Sequence, residues 1–226
     1  MEAVPNLVHR LVDRSRAPAD PVEANLTEPP ERFAAANPPG PSAAGPTYVV
    51  SVIAGGTTEA FYQPASSRAL LSQMMQVIAE EGPIAQDVLF RRVARAWGLE
   101  RTGSRIVERL EQLMLRALNA APDGDRRFYW PPELHPETWR GFRIFDGAEP
   151  SRRHIDEVTV QEIANIAAFI LEQSGSTTQQ ELARGICRTL GMARTPIEAE
   201  QRAVRGVEHL IARGRATREG GRILPR

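Results

Sequence analysis

Val93-Ala94-Arg95-Ala96-Trp97-Gly98-Leu99-Glu100-Arg101-Thr102 returns ninety-three residues later as Ile186-Cys187-Arg188-Thr189-Leu190-Gly191-Met192-Ala193-Arg194-Thr195. Arginine falls on arginine twice, glycine on glycine, threonine on threonine, and apolar residues fall on apolar ones. The register extends outward: Leu171 follows Ile78, Gly175 follows Gly82 and Leu182 follows Leu89 at the same distance. A constant offset of this kind marks an internal duplication, so one local reading serves both halves.

In the first copy Leu70, Met74, Val77 and Ile78 form an apolar helical face closed by Glu80-Glu81-Gly82. Leu89, Val93 and Trp97 form a second face at four-residue steps, stopped by Gly98. Ile106, Leu110, Leu113 and Ala117 form a third, opened by Thr102-Gly103-Ser104, whose hydroxyls suit an N-cap. Asp123-Gly124 is a turn signal, and Arg127-Phe128-Tyr129-Trp130 reads as a strand. Three helices followed by a hairpin is the order of a winged helix. The predicted fold is mainly α: two tandem winged-helix-like lobes, each of three helices plus a β-hairpin, after a disordered N-terminal arm. In the second copy the spacing predicts a four-residue insertion near Ile197–Glu200, with Val207, Leu210 and Ile211 resuming the third helix. Pro196 suits the first position of that helix, and Arg215–Leu224, centred on Gly220-Gly221, supplies the second wing.

The predicted division is residues 1–47 as a Pro/Ala-rich arm with a short helix at Met1–Arg16, and 48–65 as a strand and connector. Residues 66–131 form lobe 1, 132–156 a connector and 157–226 lobe 2. Ala17–Thr47 holds eight prolines and eight alanines with Phe33 as its only aromatic, a composition that cannot offset its ordering entropy. Tyr48–Ile53 is β-prone, with no partner strand evident. Trp139, Phe142 and Phe145 lie so close together in the connector that it is expected to pack on the lobes.

The 226 residues carry 28 basic and 28 acidic side chains, and every basic one is Arg. Without Lys there is no Walker A lysine, no Schiff-base chemistry and no Ser-x-x-Lys acylase. One cysteine, Cys187, allows no internal disulfide and no Cys-based zinc site, and it is expected to be a buried, inert thiol. His9, His135, His154 and His209 show no metal-ligand spacing. No cofactor and no small-molecule substrate are implied. No run of eighteen apolar residues is present and no signal peptide is evident, so no membrane partner is expected and a cytoplasmic location is. The balanced charge argues against strongly electrostatic nucleic-acid binding.

Glu81-Gly82-Pro83-Ile84 and Arg92 through Ile106, together with Phe128-Tyr129-Trp130-Pro131-Pro132 and Glu162-Ile163-Ala164-Asn165, resemble bacterial domain-of-unknown-function family 3320. The resemblance spans roughly Ser66–Arg226. It implies an association with DNA processing, because the family's domain usually ends large superfamily 1 helicase-like proteins, behind a restriction-endonuclease-like domain. Neither of those larger domains is found in this sequence.

In a helix-turn-helix the third helix reads DNA, and Arg suits phosphates and guanine edges. Arg105, Arg109, Gln112 and Arg116 fall on one side of that helix, beside its apolar face. With the preceding turn this gives a candidate nucleic-acid set of Arg101, Thr102, Ser104, Arg105, Arg109 and Arg116, matched in the second copy by Arg194, Thr195 and Arg202, with Arg213 beside them. Arg91, Arg92 and Arg95 on the second helix are placed to touch the DNA backbone. Trp97 is expected in the core, and one of Tyr129 and Trp130 is expected at the surface, since neighbouring strand residues face opposite ways. The functional expectation is a non-catalytic accessory module in bacterial DNA processing. Its expected partners are DNA, weakly bound, and a helicase- or nuclease-like protein. The alternative is a protein–protein interaction module without nucleic-acid contact.

Overall fold

Apolar residues at helical spacing, broken by glycine, set the element order that the computed structural model displays. It describes residues 45–114 and 119–226. The Met1–Arg16 helix, the arm up to residue 44, Arg116 and Ala117 lie outside the described residues. A short helix α1 (Thr58–Phe61) precedes the first lobe. The lobe itself comprises α2 (Ser67–Glu81), β1 (Ile84–Ala85), α3 (Gln86–Ala96), α4 (Ser104–Met114), β2 (Ala120–Asp123) and β3 (Arg126–Tyr129). The second lobe comprises α5 (Val160–Ser174), β4 (Thr177–Thr178), α6 (Gln179–Thr189), α7 (Ile197–Ala212), β5 (Ala216–Glu219) and β6 (Arg222–Pro225). The described chain is thus mainly helical, with two small antiparallel sheets of strand order β1-β3-β2 and β4-β6-β5.

The offset of ninety-three holds at both ends of α2/α5, β1/β4 and α3/α6, and at the start of α4/α7. The glycine after the second helix repeats its conformation: Gly98 and Gly191 both have positive φ, at 75° and 85°. Their successors Leu99 and Met192 both donate back to the helix, to the carbonyls of Ala94 and Cys187. Buried positions on the third helices stay in register too, Ile106, Leu110 and Met114 against Ala199, Ala203 and Val207. The hairpins instead stand ninety-six apart. The predicted four-residue insertion near Ile197–Glu200 is therefore corrected. The lengthening is three residues, and it falls after Val207, between the third helix and the hairpin. The small alanines of α7 hid the true register, because they do not read as an apolar stripe.

Other expectations also change. Gly103, not a hydroxyl, precedes α4, and its carbonyl accepts from the amides of Ile106 and Val107. Pro196 is the N-cap of α7 rather than its first residue, with no side-chain cap. Tyr48–Ile53 forms no strand. Its neighbour Thr47 makes one parallel bridge to Ile144, and Ile144 donates to the Pro46 carbonyl, so the last residues of the predicted arm are anchored on the connector. Gly55 and Gly56 let that segment cross the end of α3. A Cβ on Gly55 would stand 2.0 Å from the Ala96 carbonyl oxygen, and one on Gly56 would stand 2.4 Å from the Trp97 ring.

Lobe 1 packs Phe61, Leu70, Met74, Phe90, Leu110 and Phe128 into one core, with Trp97 buried as expected. Tyr129 and Trp130 are both buried, against the expectation that one is exposed. Tyr129 donates to Gln86 Oε1 at 3.1 Å. Trp130 is covered from the other side by Trp139, ring centroids 5.5 Å apart and edge to face. The connector does pack on the lobes: besides Trp139, Phe142 meets Phe169 at 5.2 Å, and the Phe145 amide donates to the Thr189 carbonyl. Lobe 2 fills its core with Ile155, Ile163, Ile166, Leu182, Ile186 and Val207.

Candidate functional site

The candidate nucleic-acid residues divide into three groups. Arg101, Ser104, Arg105 and Arg194 are exposed, and Thr102 and Thr195 are half-buried. Arg105 lies over the Tyr62 ring, 4.6 Å from its centre. Arg109 and Arg202, which occupy one and the same repeat position, turn inward. Arg109 donates through Nε to the Phe61 carbonyl and through Nη2 to the Gln63 carbonyl, both at 2.8 Å. Arg202 is 5% exposed; it grips Asp123 with two bonds of 2.8 and 2.6 Å and donates to the Val158 carbonyl at 2.7 Å. Each of these arginines ties its third helix to the chain that precedes its own first helix. Arg202 is corrected from a surface ligand to an internal clamp. Arg116 lies outside the described residues. Arg213 pairs with Glu137.

A polar junction joins the lobes. Glu162, fully buried in the first turn of α5, accepts from Arg143 Nη2 at 2.6 Å, from the Arg143 amide at 2.9 Å, and from Arg153 at 2.9 Å. Burial alone would raise its pKa, but the two guanidinium groups outweigh burial and hold it down to about 2. Arg143 also donates to the Glu81, Gly82 and Pro83 carbonyls, which α2 leaves unpaired at its C-terminus. Asp123 accepts from the Val160 amide at 2.6 Å and so caps α5 from the tip of the other lobe's hairpin. Arg91 meets Glu157 at 2.6 Å. Asn165 donates to the Gly141 carbonyl at 2.9 Å, pinning the connector. The buried Glu81 accepts from Tyr48 and from Arg92, and burial, with Glu81 adding to it, pushes the Tyr48 hydroxyl up to about 12.

Sequence reasoning missed this junction because its members looked like solvated charges or turn residues. A signal was present: Glu81-Gly82-Pro83 and Glu162 with Asn165, quoted above for the family resemblance, are residues that make the junction.

Two further arginine-bearing surfaces are present, and the one in lobe 1 shares Arg91, Arg92 and Arg153 with this junction. Arg91, Arg95 and Arg101 recur as Arg184, Arg188 and Arg194 at the repeat offset. Arg95, Arg101, Arg184, Arg188 and Arg194 are exposed, and among the described residues they pair with no carboxylate. In lobe 2 the three arginines share a groove with Glu181, Met192 and Thr195. In lobe 1, Arg91, Arg92 and Arg95 form one side of a cleft of about 170 Å³ whose other side carries Arg152 and Arg153. Among the described residues no group of three or more His, Cys, Asp or Glu side chains is placed to hold a metal ion. No helix there is long and apolar enough to cross a membrane.

The model of the family described as protein of unknown function (DUF3320) matches residues 59–108. Over this segment the chain is similar to the DUF3320 family. The DUF3320 match runs from α1 through α2, β1 and α3 into the first turns of α4, a shorter span than the resemblance read from Ser66 to Arg226. No curated protein and no solved structure matches the chain.

Proposed function

We propose that the protein is a non-catalytic accessory module of DNA processing, built from two winged-helix-like lobes, that holds duplex DNA weakly by its phosphates. The arginines repeated on the second helix of each lobe and the turn after it carry this reading: Arg95 and Arg101 in lobe 1, Arg188 and Arg194 in lobe 2. All four are exposed, and among the described residues none forms an ion pair with a carboxylate. Arginine suits a phosphate backbone because its planar fork offers paired donors. The third helices support the reading less. Arg109 and Arg202 are committed internally, and α7 opens with Glu198 and Glu200 in its first turn. The helix–strand–helix–helix–hairpin order of each lobe supports the winged-helix assignment, and a helicase- or nuclease-like protein remains the proposed working partner. A protein-only reading draws on Ile197, 69% exposed at the start of α7 and bordering a shallow groove with Val204.

Titration of duplex DNA decides between them. Binding is expected at about 10⁻⁴–10⁻⁶ M, with log K falling against log salt at a slope near −3.6 if four phosphates are met, from roughly −0.9 per phosphate. Replacing Arg95, Arg101, Arg188 and Arg194 by Glu should abolish binding, while Arg109→Gln should cost stability and leave the salt slope unchanged. Absence of wild-type binding at low salt, or equal affinity in the quadruple variant, moves the assignment to the protein-only reading.

A further inference from the structure

The cleft in lobe 1 takes part of its lining from the connector, whereas the groove in lobe 2 is lined by α6 and the turn after it. Its α3 side presents Arg91, Arg92 and Arg95, and the short turn at Glu149–Ser151 brings Arg152 and Arg153 opposite them. Two carboxylates share the lining, and each is already engaged: Glu157 by Arg91 at 2.6 Å and Glu149 by Arg152 at 3.0 Å. Arg153 is 4% exposed and spends its Nη2 on Glu162 and on the Arg143 carbonyl. Its Nη1 is buried, with no hydrogen-bond partner among the described residues. A buried charged donor left without an acceptor is costly, and here it belongs to a side chain that lines an arginine-rich cavity. Across the cleft Arg95 is exposed and carries no carboxylate partner. The volume of about 170 Å³ leaves room for one tetrahedral oxyanion.

We propose that this cleft binds a single phosphate group, presented by a polynucleotide terminus or by a small phosphorylated molecule, with the exposed Arg95 and Arg152 as its donors and the buried Arg153 guanidinium adding positive charge to the lining. Burial lowers the pKa of Arg153, only partly offset by Glu162; a bound dianion favours the same charge that burial disfavours. Val88 and Pro83 add apolar surface to the lining, and the small volume suits a compact anionic group more than an extended strand. The proposal does not depend on duplex binding, although Arg95 serves both.

The test uses the full chain and inorganic phosphate, titrated by calorimetry in chloride buffer of constant ionic strength, with thermal unfolding as a second readout. Saturable one-to-one binding and a rise in Tm are expected. Arg95→Gln and Arg152→Gln, both at exposed positions outside the lobe junction, should weaken phosphate by at least about tenfold and a few-fold respectively, since a hydrogen bond to a charged group is worth roughly a factor of ten or more. Arg188→Glu with Arg194→Glu, in the other lobe, should weaken duplex DNA and leave phosphate affinity intact, which keeps a failure of the duplex reading distinct from a failure here. Two short single-stranded oligonucleotides, with and without a 5′-phosphate, then identify the source. Displacement of phosphate at least about tenfold better by the phosphorylated strand supports a polynucleotide end, and equal displacement supports a small phosphorylated ligand. No heat and no change in Tm up to tens of millimolar phosphate overturns the proposal, as does an unchanged affinity in Arg95→Gln.

Discussion

Where the first lobe sets Ile106, Leu110 and Leu113 along its third helix, the second sets Ala199, Ala203 and Gly206 at the equivalent positions. Small residues let α7 approach α5 so closely that a Cβ on Gly206 would stand 2.2 Å from Ile163 Cγ2. The first lobe holds its third helix farther off and fills the space with rings, among them Phe61, Phe90, Phe128 and Trp130. Phe61 comes from α1, outside the repeat, and packs edge to face on Trp97 at 6.0 Å. One order of elements thus admits two packing solutions, because a core needs a filled volume and not a given set of side chains.

The largest expected effect concerns the junction, where the lobes differ most. Arg143→Ala should cost about 4 kcal/mol, since it strips Glu162 of one buried partner and leaves the α2 carbonyls unpaired. Calorimetry should then resolve two transitions in place of one, the aromatic lobe and the aliphatic lobe melting apart. A single unshifted transition would show the lobes to be coupled by other means.

Acid should act through the second lobe. Glu162 has its pKa held near 2 in the fold against an ordinary 4.5. Its contribution is therefore fully present above about pH 4.5 and is lost as pH falls toward 2, roughly 3 kcal/mol in all. The equivalent residue in lobe 1 is the exposed Ala69, which titrates nothing. Glu162→Gln should lower stability at neutral pH and flatten this acid limb; an unchanged limb would place the pH response elsewhere.

Exchanging core residues tests the packing contrast directly. Leu110→Ala should cost about 3 kcal/mol by leaving a cavity. Ala203→Leu, which installs the first lobe's residue in the second, should cost about 2 kcal/mol by overpacking. Chemical denaturation of both variants checks this, and near-neutral values would mean that the cores are interchangeable.

The smallest effect lies at the second helices. Thr178 caps α6, its hydroxyl accepting from the Glu181 amide at 3.2 Å while Glu181 reaches back to the Thr178 amide at 3.1 Å. Ala85 stands at the same place before α3 and cannot cap. Thr178→Ala should cost about 1 kcal/mol, and a value near zero would erase this difference between the lobes.

The repeat, the helices and the hairpins were legible because apolar spacing and glycine stops are local signals. The offset of ninety-three holds at seven helix and strand boundaries shared by the two copies. The junction was not legible: Arg143, Asp123 and Arg202 lie far apart in sequence, and a charge in a turn or on a helix reads as solvated until its partner is seen. The same limit moved two candidate ligands inward. Arg109 and Arg202 lie beside the apolar face of their helices, and only the chain packed over that edge, absent from any single-helix reading, decides whether an arginine there meets solvent or a carbonyl. The turn that completes the arginine cleft sits in the connector, outside both copies of the repeat.

The inward arginine of each third helix also bears on how many lobes such a chain can join. A head-to-tail contact between copies of one unit carries no inherent stop and extends into an open array unless an end is blocked. Arg109, whose counterpart Arg202 takes the hairpin tip of the preceding lobe, is occupied by the carbonyls of Phe61 and Gln63. Glu219, the counterpart of Asp123, is exposed. One repeat position thus does two jobs: in lobe 1 its arginine is spent on backbone carbonyls, and in lobe 2 it holds the hairpin tip of the lobe before it.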